Sequence, residues 1–289
     1  MKLYEPSQIR EIKRRFGFRF SKSLGQNFLI DKPVIDGIVE GAGINEEDLV
    51  IEIGPGIGVL TDALSEKAGK VVAIEIDKGL LEILKYTLPG KENVTIVNGN
   101  VLKMDLGALI EQEKEGCSHV KIAGNLPYYI TTPIIMKLLE DTKGFESVTV
   151  MMQKEVAERI ISGPGSKAYG AISLAVQYYA DVTWIEDVEK SSFMPEPKVD
   201  SAVIRMDILD SPRVSPLDEK IFFEVIRSAF SKRRKTLLNS LSGVAGDKDE
   251  LRAILEKAGI DEKRRAEELS LEDYKEIADG VFEKRNTHV

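Results

Sequence analysis

The chain has 289 residues, enough for one large domain or two of ordinary size, and its 43% hydrophobic content is that of a globular protein rather than a disordered or membrane-embedded one. A single cysteine, Cys117, excludes an intramolecular disulfide and a cysteine metal site, and having only His119 and His288 argues against a histidine zinc site or a histidine-based triad. The net charge of −8 would speak against a nucleic-acid partner if it were spread evenly, and it is not.

The first 25 residues carry Lys2, Arg10, Lys13, Arg14, Arg15, Arg19 and Lys22 against only Glu5 and Glu11. Residues 227–235 carry Arg227, Lys232, Arg233, Arg234 and Lys235 with no acid. Phosphate contacts act over short range in salt, so local clusters count for more than the total. No apolar signal core opens the chain and no apolar run reaches membrane-spanning length, so a cytoplasmic protein away from membranes is expected.

In chain order, residues 1–20 read as a basic amphipathic helix with Ile9, Ile12 and Phe16 on one side, entering the loop Ser23-Leu24-Gly25-Gln26-Asn27-Phe28-Leu29-Ile30-Asp31. A helix follows with Pro33 in its first turn and Asp31 or Lys32 as its cap. Residues 49–53 are an apolar run that ends in Gly54-Pro55-Gly56-Ile57-Gly58. Helical spacing of Val59, Leu60, Ala63 and Leu64 and a second apolar run over 71–76 complete a βαβ unit, the builder of parallel sheets. Strands follow at 94–97, 120–123 and 147–152, with helices at 80–88, 105–115, 132–140, 153–161 and 170–180. Two late strands, 182–188 and 201–207, flank Phe193-Met194-Pro195-Glu196-Pro197 and suggest a hairpin-like edge with one antiparallel member. Beyond residue 210 strand signals stop. Stripes at 221–230 and 251–258, and the capping pair Ser270 and Asp273, predict a small helical domain. The expected division is 1–210 and 211–289.

Ligands of an open α/β sheet bind at the carboxyl ends of its strands. Four segments fall there: 54–58, 75–77, 99–100 and 125–128. The glycines allow a sharp turn and close approach of a ligand to the main chain, and Glu75 can bind ribose hydroxyls. The G-x-G-x-G spacing with Glu52 two residues ahead resembles motif I of S-adenosylmethionine-dependent methyltransferases. By itself it is equally compatible with a bare structural turn or another nucleotide site. Asn125-Leu126-Pro127-Tyr128 is more telling. An exocyclic adenine amine is a poor nucleophile because its lone pair is delocalised, and it needs its N–H bonds held so that the lone pair faces an electrophile. The Asn125 side-chain oxygen and the Leu126 carbonyl suit that task, and Tyr128 offers a flat face to a flipped base.

Taken in order, S-L-G-Q-N-F-L at 23–29, E-I-G-P-G-I-G at 52–58, N-L-P-Y at 125–128, F-M-P-E-P-K-V-D-S at 193–201 and A-F-S-K-R-R-K-T-L at 229–237 resemble the rRNA adenine N6-dimethyltransferase family along essentially the whole chain. The last two segments tilt the resemblance to its small-subunit members. It implies a Rossmann-like, doubly wound class I methyltransferase sheet with a helical C-terminal domain. It also implies S-adenosylmethionine as cofactor and dimethylation of two adjacent adenosines near the 3′ end of 16S rRNA by a monomer without metal. By the same resemblance Gln26, Asn27, Leu29, Gly54, Gly56, Glu75, Ile76, Asn100, Val101 and Asn125 would bind the cofactor. Asn125, Leu126, Tyr128 and Phe193 would serve the target base, and Arg233, Arg234 and Lys235 would bind RNA. Where the family usually has Asp after the third strand this chain has Asn100, so weaker but surviving cofactor binding is expected. A large-subunit rRNA methylase, a DNA adenine methylase and a non-catalytic assembly factor are the alternative readings.

Overall fold

The inner strands of the main sheet are built from segments whose side chains are buried on both faces, the mark of strands covered by helices on each side. In the computed structural model, which describes residues 1–21, 24–232 and 234–286, the strands are β1 (Phe28–Leu29), β2 (Asp48–Ile53), β3 (Lys70–Glu75), β4 (Val94–Asn98), β5 (His119–Asn125), β6 (Ser147–Gln153), β7 (Ala180–Val188), β8 (Phe193–Met194) and β9 (Ser201–Ile208). Seven of them form one sheet in the order β4-β3-β2-β5-β6-β9-β7. All six side chains of β2 are buried, which is why its apolar run does not alternate. β2, β3, β4, β5 and β6 pair in parallel, and β9 pairs antiparallel with β6. The late strands do lie at one side of the sheet, but the antiparallel strand is not the outermost: β9 is inserted between β6 and β7. Ser201 faces Gln153 in that pairing, so β9 begins where the parallel strands end.

Helices Lys32–Gly41, Val59–Ser65, Lys78–Thr87, Leu106–Glu113, Thr131–Asp141 and Lys154–Ile161 connect the strands. Local chemistry sets their starts. Asp77 and Asp105 accept from the backbone N–H of Gly79 and Ala108, each satisfying a donor that has no partner within its helix. Asp31 occupies the N-cap position before Lys32, yet its carboxylate does not cap; it accepts from the Ser192 hydroxyl at 2.7 Å. That bond sits beside the antiparallel pairing of β1 with β8, where Phe28 faces Met194 and Leu29 faces Phe193. Two-residue strands carry no periodicity, so both segments read as loop in the sequence.

The chain divides into two compact units, Met1–Ala157 with Val182–Ile208, and Glu158–Asp181 with Leu209–Val289. The second is helical, and it takes in a segment from the middle of the chain besides the expected C-terminal one. The physical reason is an aromatic core: Tyr178 lies 5.1 Å from Phe222 and 5.2 Å from Phe223, and Tyr169 lies 6.2 Å from Phe230. Ser270 and Asp273 exchange backbone-to-side-chain bonds at the start of the last helix, Leu271–Asn286. Among the described residues no helix is long and apolar enough to cross a membrane.

One buried ion pair fixes the amino-terminal end of the sheet. Lys121 Nζ donates to Asp48 at 2.7 Å and to the Gly43 carbonyl at 2.6 Å, and Asp48 is fully buried. Removing the amine leaves that carboxylate uncompensated, at a cost of about 3–5 kcal/mol. Lys121→Ala should lower the unfolding free energy by that amount in urea titration. A Lys121→Met, Asp48→Leu double variant should regain most of it.

Candidate active site

The carboxyl ends of β2, β3, β4 and β5 enclose a cleft of about 1060 Å³, its open mouth included, and all of its wall comes from the first compact unit. The turn after β2 is possible because Gly54 and Gly56 adopt φ of 75° and 60°, a region closed to most side chains. A Cβ on Gly56 would also lie 3.0 Å from the Phe28 ring. The backbone therefore lines the cleft directly.

Glu75 ties this turn to the next one. Its Oε1 accepts from the Asp77 N–H at 2.7 Å and its Oε2 from the Gly56 N–H at 3.3 Å. Burial raises its pKa from the ordinary carboxylate value, and those backbone donors pull in the opposite direction. Beside it Ile76 is 48% exposed, a large apolar side chain left facing open space at the cleft. Asn100 and Val101 follow β4 in the same wall. The Asn100 Oδ1 is already engaged in its own turn, accepting from the Leu102 N–H at 3.0 Å.

The opposite wall is the turn after β5. Asn125 donates its Nδ2 to the Asn27 carbonyl at 3.1 Å, which fixes the amide orientation and leaves Oδ1 as the oxygen available to a ligand. Leu126 is buried and its N–H is bonded to Met151 in β6 at 3.0 Å. Pro127 opens a single 3₁₀ turn, Tyr128–Ile130, in which successive side chains point about 120° apart. Tyr128 is half-buried and its hydroxyl meets the Ser201 hydroxyl of β9 at 2.6 Å. Burial is also what raises its pKa.

So Asn27, Leu29, Gly54, Gly56, Glu75, Ile76, Asn100, Val101, Asn125, Leu126 and Tyr128 all converge on one cleft, and Gln26 joins them in a different capacity. The Gln26 amide is spent on the protein: Oε1 accepts from Ser21 N–H at 2.7 Å and Nε2 donates to Asp77 at 2.8 Å. It positions the amino-terminal segment over the turn after β3. Phe193 is not part of the cleft wall. It is 3% exposed, packed in the core behind β1. Arg234 and Lys235 lie exposed in the turn after helix Glu219–Ser231 of the other unit, and Arg233 lies outside the described residues. Ser201 closes the 193–201 segment that carries the resemblance, but nothing in the sequence links it to a tyrosine 73 positions away.

A family model described as "Ribosomal RNA adenine dimethylase" matches residues 17–281. The chain belongs to the ribosomal RNA adenine dimethylase family. Its cofactor is S-adenosylmethionine, and it is an enzyme of the class I methyltransferase fold. The chain is 51% identical over 287 residues to the ribosomal RNA small subunit methyltransferase A of Alkaliphilus oremlandii, covering 98% of this chain and 99% of that protein. With the protein of the same name from Bacillus pumilus it shares 48% identity over 277 residues, 94% and 95% of the two chains. Among solved structures, a dimethyladenosine transferase from Plasmodium falciparum superposes with a TM-score of 0.74 at 25% identity, over 91% of this chain and 98% of that one. The 23S rRNA methyltransferase ErmE superposes with a TM-score of 0.66 at 25% identity, over 89% of this chain and all of that one.

The dimethylase cleft fits such a cofactor. Left-handed glycines open the main chain to a ligand, Glu75 offers carboxylate lone pairs beyond its two backbone bonds, and Ile76 gives an apolar surface for a purine. Beneath them Glu52 is buried at 1% exposure, with no hydrogen-bond partner for Oε2.

Burial pushes the Glu52 carboxyl up to about 8 from 4.5, and the Glu75 charge pushes the same way while the Thr61 hydroxyl opposes it. The folded chain therefore holds a proton that the unfolded chain releases. The associated stability is complete below about pH 4.5 and is lost as pH rises towards about 8. Glu52→Gln should remove that loss, so its urea midpoint should gain on the wild type across this window. A second expectation concerns Tyr128. Ser201→Ala should leave S-adenosylmethionine affinity unchanged by calorimetry and lower methyl transfer about tenfold, because the ring loses its hydroxyl anchor.

Proposed function

We propose that the enzyme transfers methyl groups from S-adenosylmethionine to N6 of two adjacent adenosines near the 3′ end of 16S rRNA during small-subunit assembly. The observation that carries the acceptor assignment is the Asn125 amide: its Nδ2 is committed to Asn27, so Oδ1 faces the ligand side as an acceptor. Oδ1 and the Leu126 carbonyl take the two N6–H bonds of a flipped adenine, and the amine then directs its lone pair at the electrophile. Tyr128, braced on Ser201, stacks on the base. When bound, S-adenosylmethionine supplies a methyl already activated by its sulfonium. The residues therefore work by orientation, and no base need remove a proton before attack.

The small-subunit assignment is supported by the names of the relatives at 48–51% identity, which cover nearly the whole chain. They favour it over a large-subunit rRNA, DNA or purely non-catalytic role. We further infer that the enzyme acts as a monomer and meets its ribosomal acceptor in the cytoplasm. In the helical unit the exposed Lys232, Arg234 and Lys235 supply phosphate contacts that one flipped base cannot replace in selecting a site.

Mass mapping of small-subunit rRNA from cells lacking the gene, with and without the protein added back, tests the assignment. The two adenosines should be unmethylated without it and dimethylated with it. Asn125→Ala should leave the fold and cofactor pocket largely formed and, at saturating cofactor, lose at least about 100-fold in single-turnover methyl transfer. A rate near wild type would remove Asn125 from its role.

A further inference from the structure

The catalytic unit carries a second cationic surface that the cleft does not use. Residues 6–21 contain five cations, Arg10, Lys13, Arg14, Arg15 and Arg19, against one acid, Glu11, a local charge of +4 in a chain of net −8. Helix Pro6–Phe16 buries Ile9 and Ile12, and Gly17 ends it at φ 61°. Arg10, Lys13 and Arg14 stand at i, i+3 and i+4, so they share one face, and Arg10, Arg14, Arg15 and Arg19 are exposed. Cations in the last turn complement the negative end of the helix dipole, which accounts for Lys13, Arg14 and Arg15 but not for Arg10 or Arg19.

Many other surface lysines and arginines of this acidic molecule sit on carboxylates, as Lys32 does on Asp36 and Arg213 on Asp181. These five form no carboxylate ion pair among the described residues. Two of them are held by rings instead. Lys13 Nζ lies 4.5 Å over Phe20, and the Arg15 guanidinium lies 4.2 Å over Tyr86 and donates to its hydroxyl at 3.3 Å. A ring orders a cation without cancelling its charge, so the face is fixed and still free to take an anion. One of these rings joins it to the cleft: Phe20 packs on Phe28 at 5.3 Å, and Phe28 lines the cleft wall.

We propose that Arg10, Lys13, Arg14 and Arg19 form a docking surface for the phosphate backbone of the rRNA, so that the unit that methylates the base also grips the strand. The proposal rests on the rRNA reading above. Spaced cations along an exposed helix face and the turn after it suit successive phosphates of one polynucleotide.

The test compares Arg10→Gln, Arg14→Gln, Arg19→Gln in one protein with the matching triple Lys variant. Lys13 and Arg15 are left in place to preserve their ring contacts. Undermethylated small subunits are the substrate, at several salt concentrations. The Gln variant should raise KM about tenfold or more with kcat little changed, and flatten the salt dependence of KM by roughly one unit of log–log slope per lost contact. The Lys variant should keep most of the wild-type behaviour, S-adenosylmethionine affinity should be equal in all three, and a melting curve should show the Gln variant folded. A folded Gln variant with wild-type KM and slope overturns the proposal. So does a surface that binds vesicles of anionic phospholipid while leaving KM for subunits unchanged in the Gln variant. Were the wild type itself unable to methylate subunits, the rRNA reading would fall first, and this surface with it.

Discussion

The site depends on one buried carboxylate that holds two turns together. Glu75 closes β3, yet its two oxygens accept from Asp77 on its own turn and from Gly56 on the turn after β2. Without that tie each glycine turn would be an independent loop with its own entropy to lose. With it, the ends of two adjacent parallel strands form one rigid rim. Asp77 extends the rim by capping helix Lys78–Thr87 with one oxygen and accepting from Gln26 with the other. The amino-terminal segment thus reaches the cofactor wall through a chain of hydrogen bonds that starts at Glu75. The cost of this arrangement is the company of Glu52, a second acid in the same dry region that holds its proton into neutral pH.

The proposed acceptor side obeys a different logic. Asn125, Leu126 and Tyr128 belong to one short turn, and each is fixed by a partner far away in sequence: Asn27, Met151 and Ser201. Orientation chemistry requires this. An amide or a ring that is free to rotate cannot lower a barrier by alignment, so the groups that hold it matter as much as those that touch substrate.

Much of this was legible in the sequence because it is local. The apolar runs of β2 and β3, the glycines between them and the acid at residue 75 lie within 30 positions and announce a nucleotide-binding βαβ unit. The N-L-P-Y turn was legible because its residue types have few structural uses. What stayed hidden is non-local. A tyrosine hydroxyl meeting Ser201, the two-residue strands β1 and β8, and Gln26 bonding Ser21 and Asp77 all depend on segments that periodicity cannot bring together. Phe193 differs from these: a motif residue expected at the base is buried here, with Leu29 as its neighbour in β1. Asn100 does lie in the cleft wall, and its oxygen also accepts from the Leu102 N–H of its own turn.

The position of β9 has a consequence for which parts of the cleft are coupled to one another. Because it runs against β6, its first residue rather than its last arrives at the rim, and it brings Ser201 to the acceptor turn. The cofactor wall is drawn from the β2, β3 and β4 half of the sheet, and the brace of the acceptor turn from the far half. The segment between β8 and β9, residues 195–200, lines none of the cleft, so a change there reaches the turn of Tyr128 through Ser201 and leaves the walls that follow β2, β3 and β4 untouched.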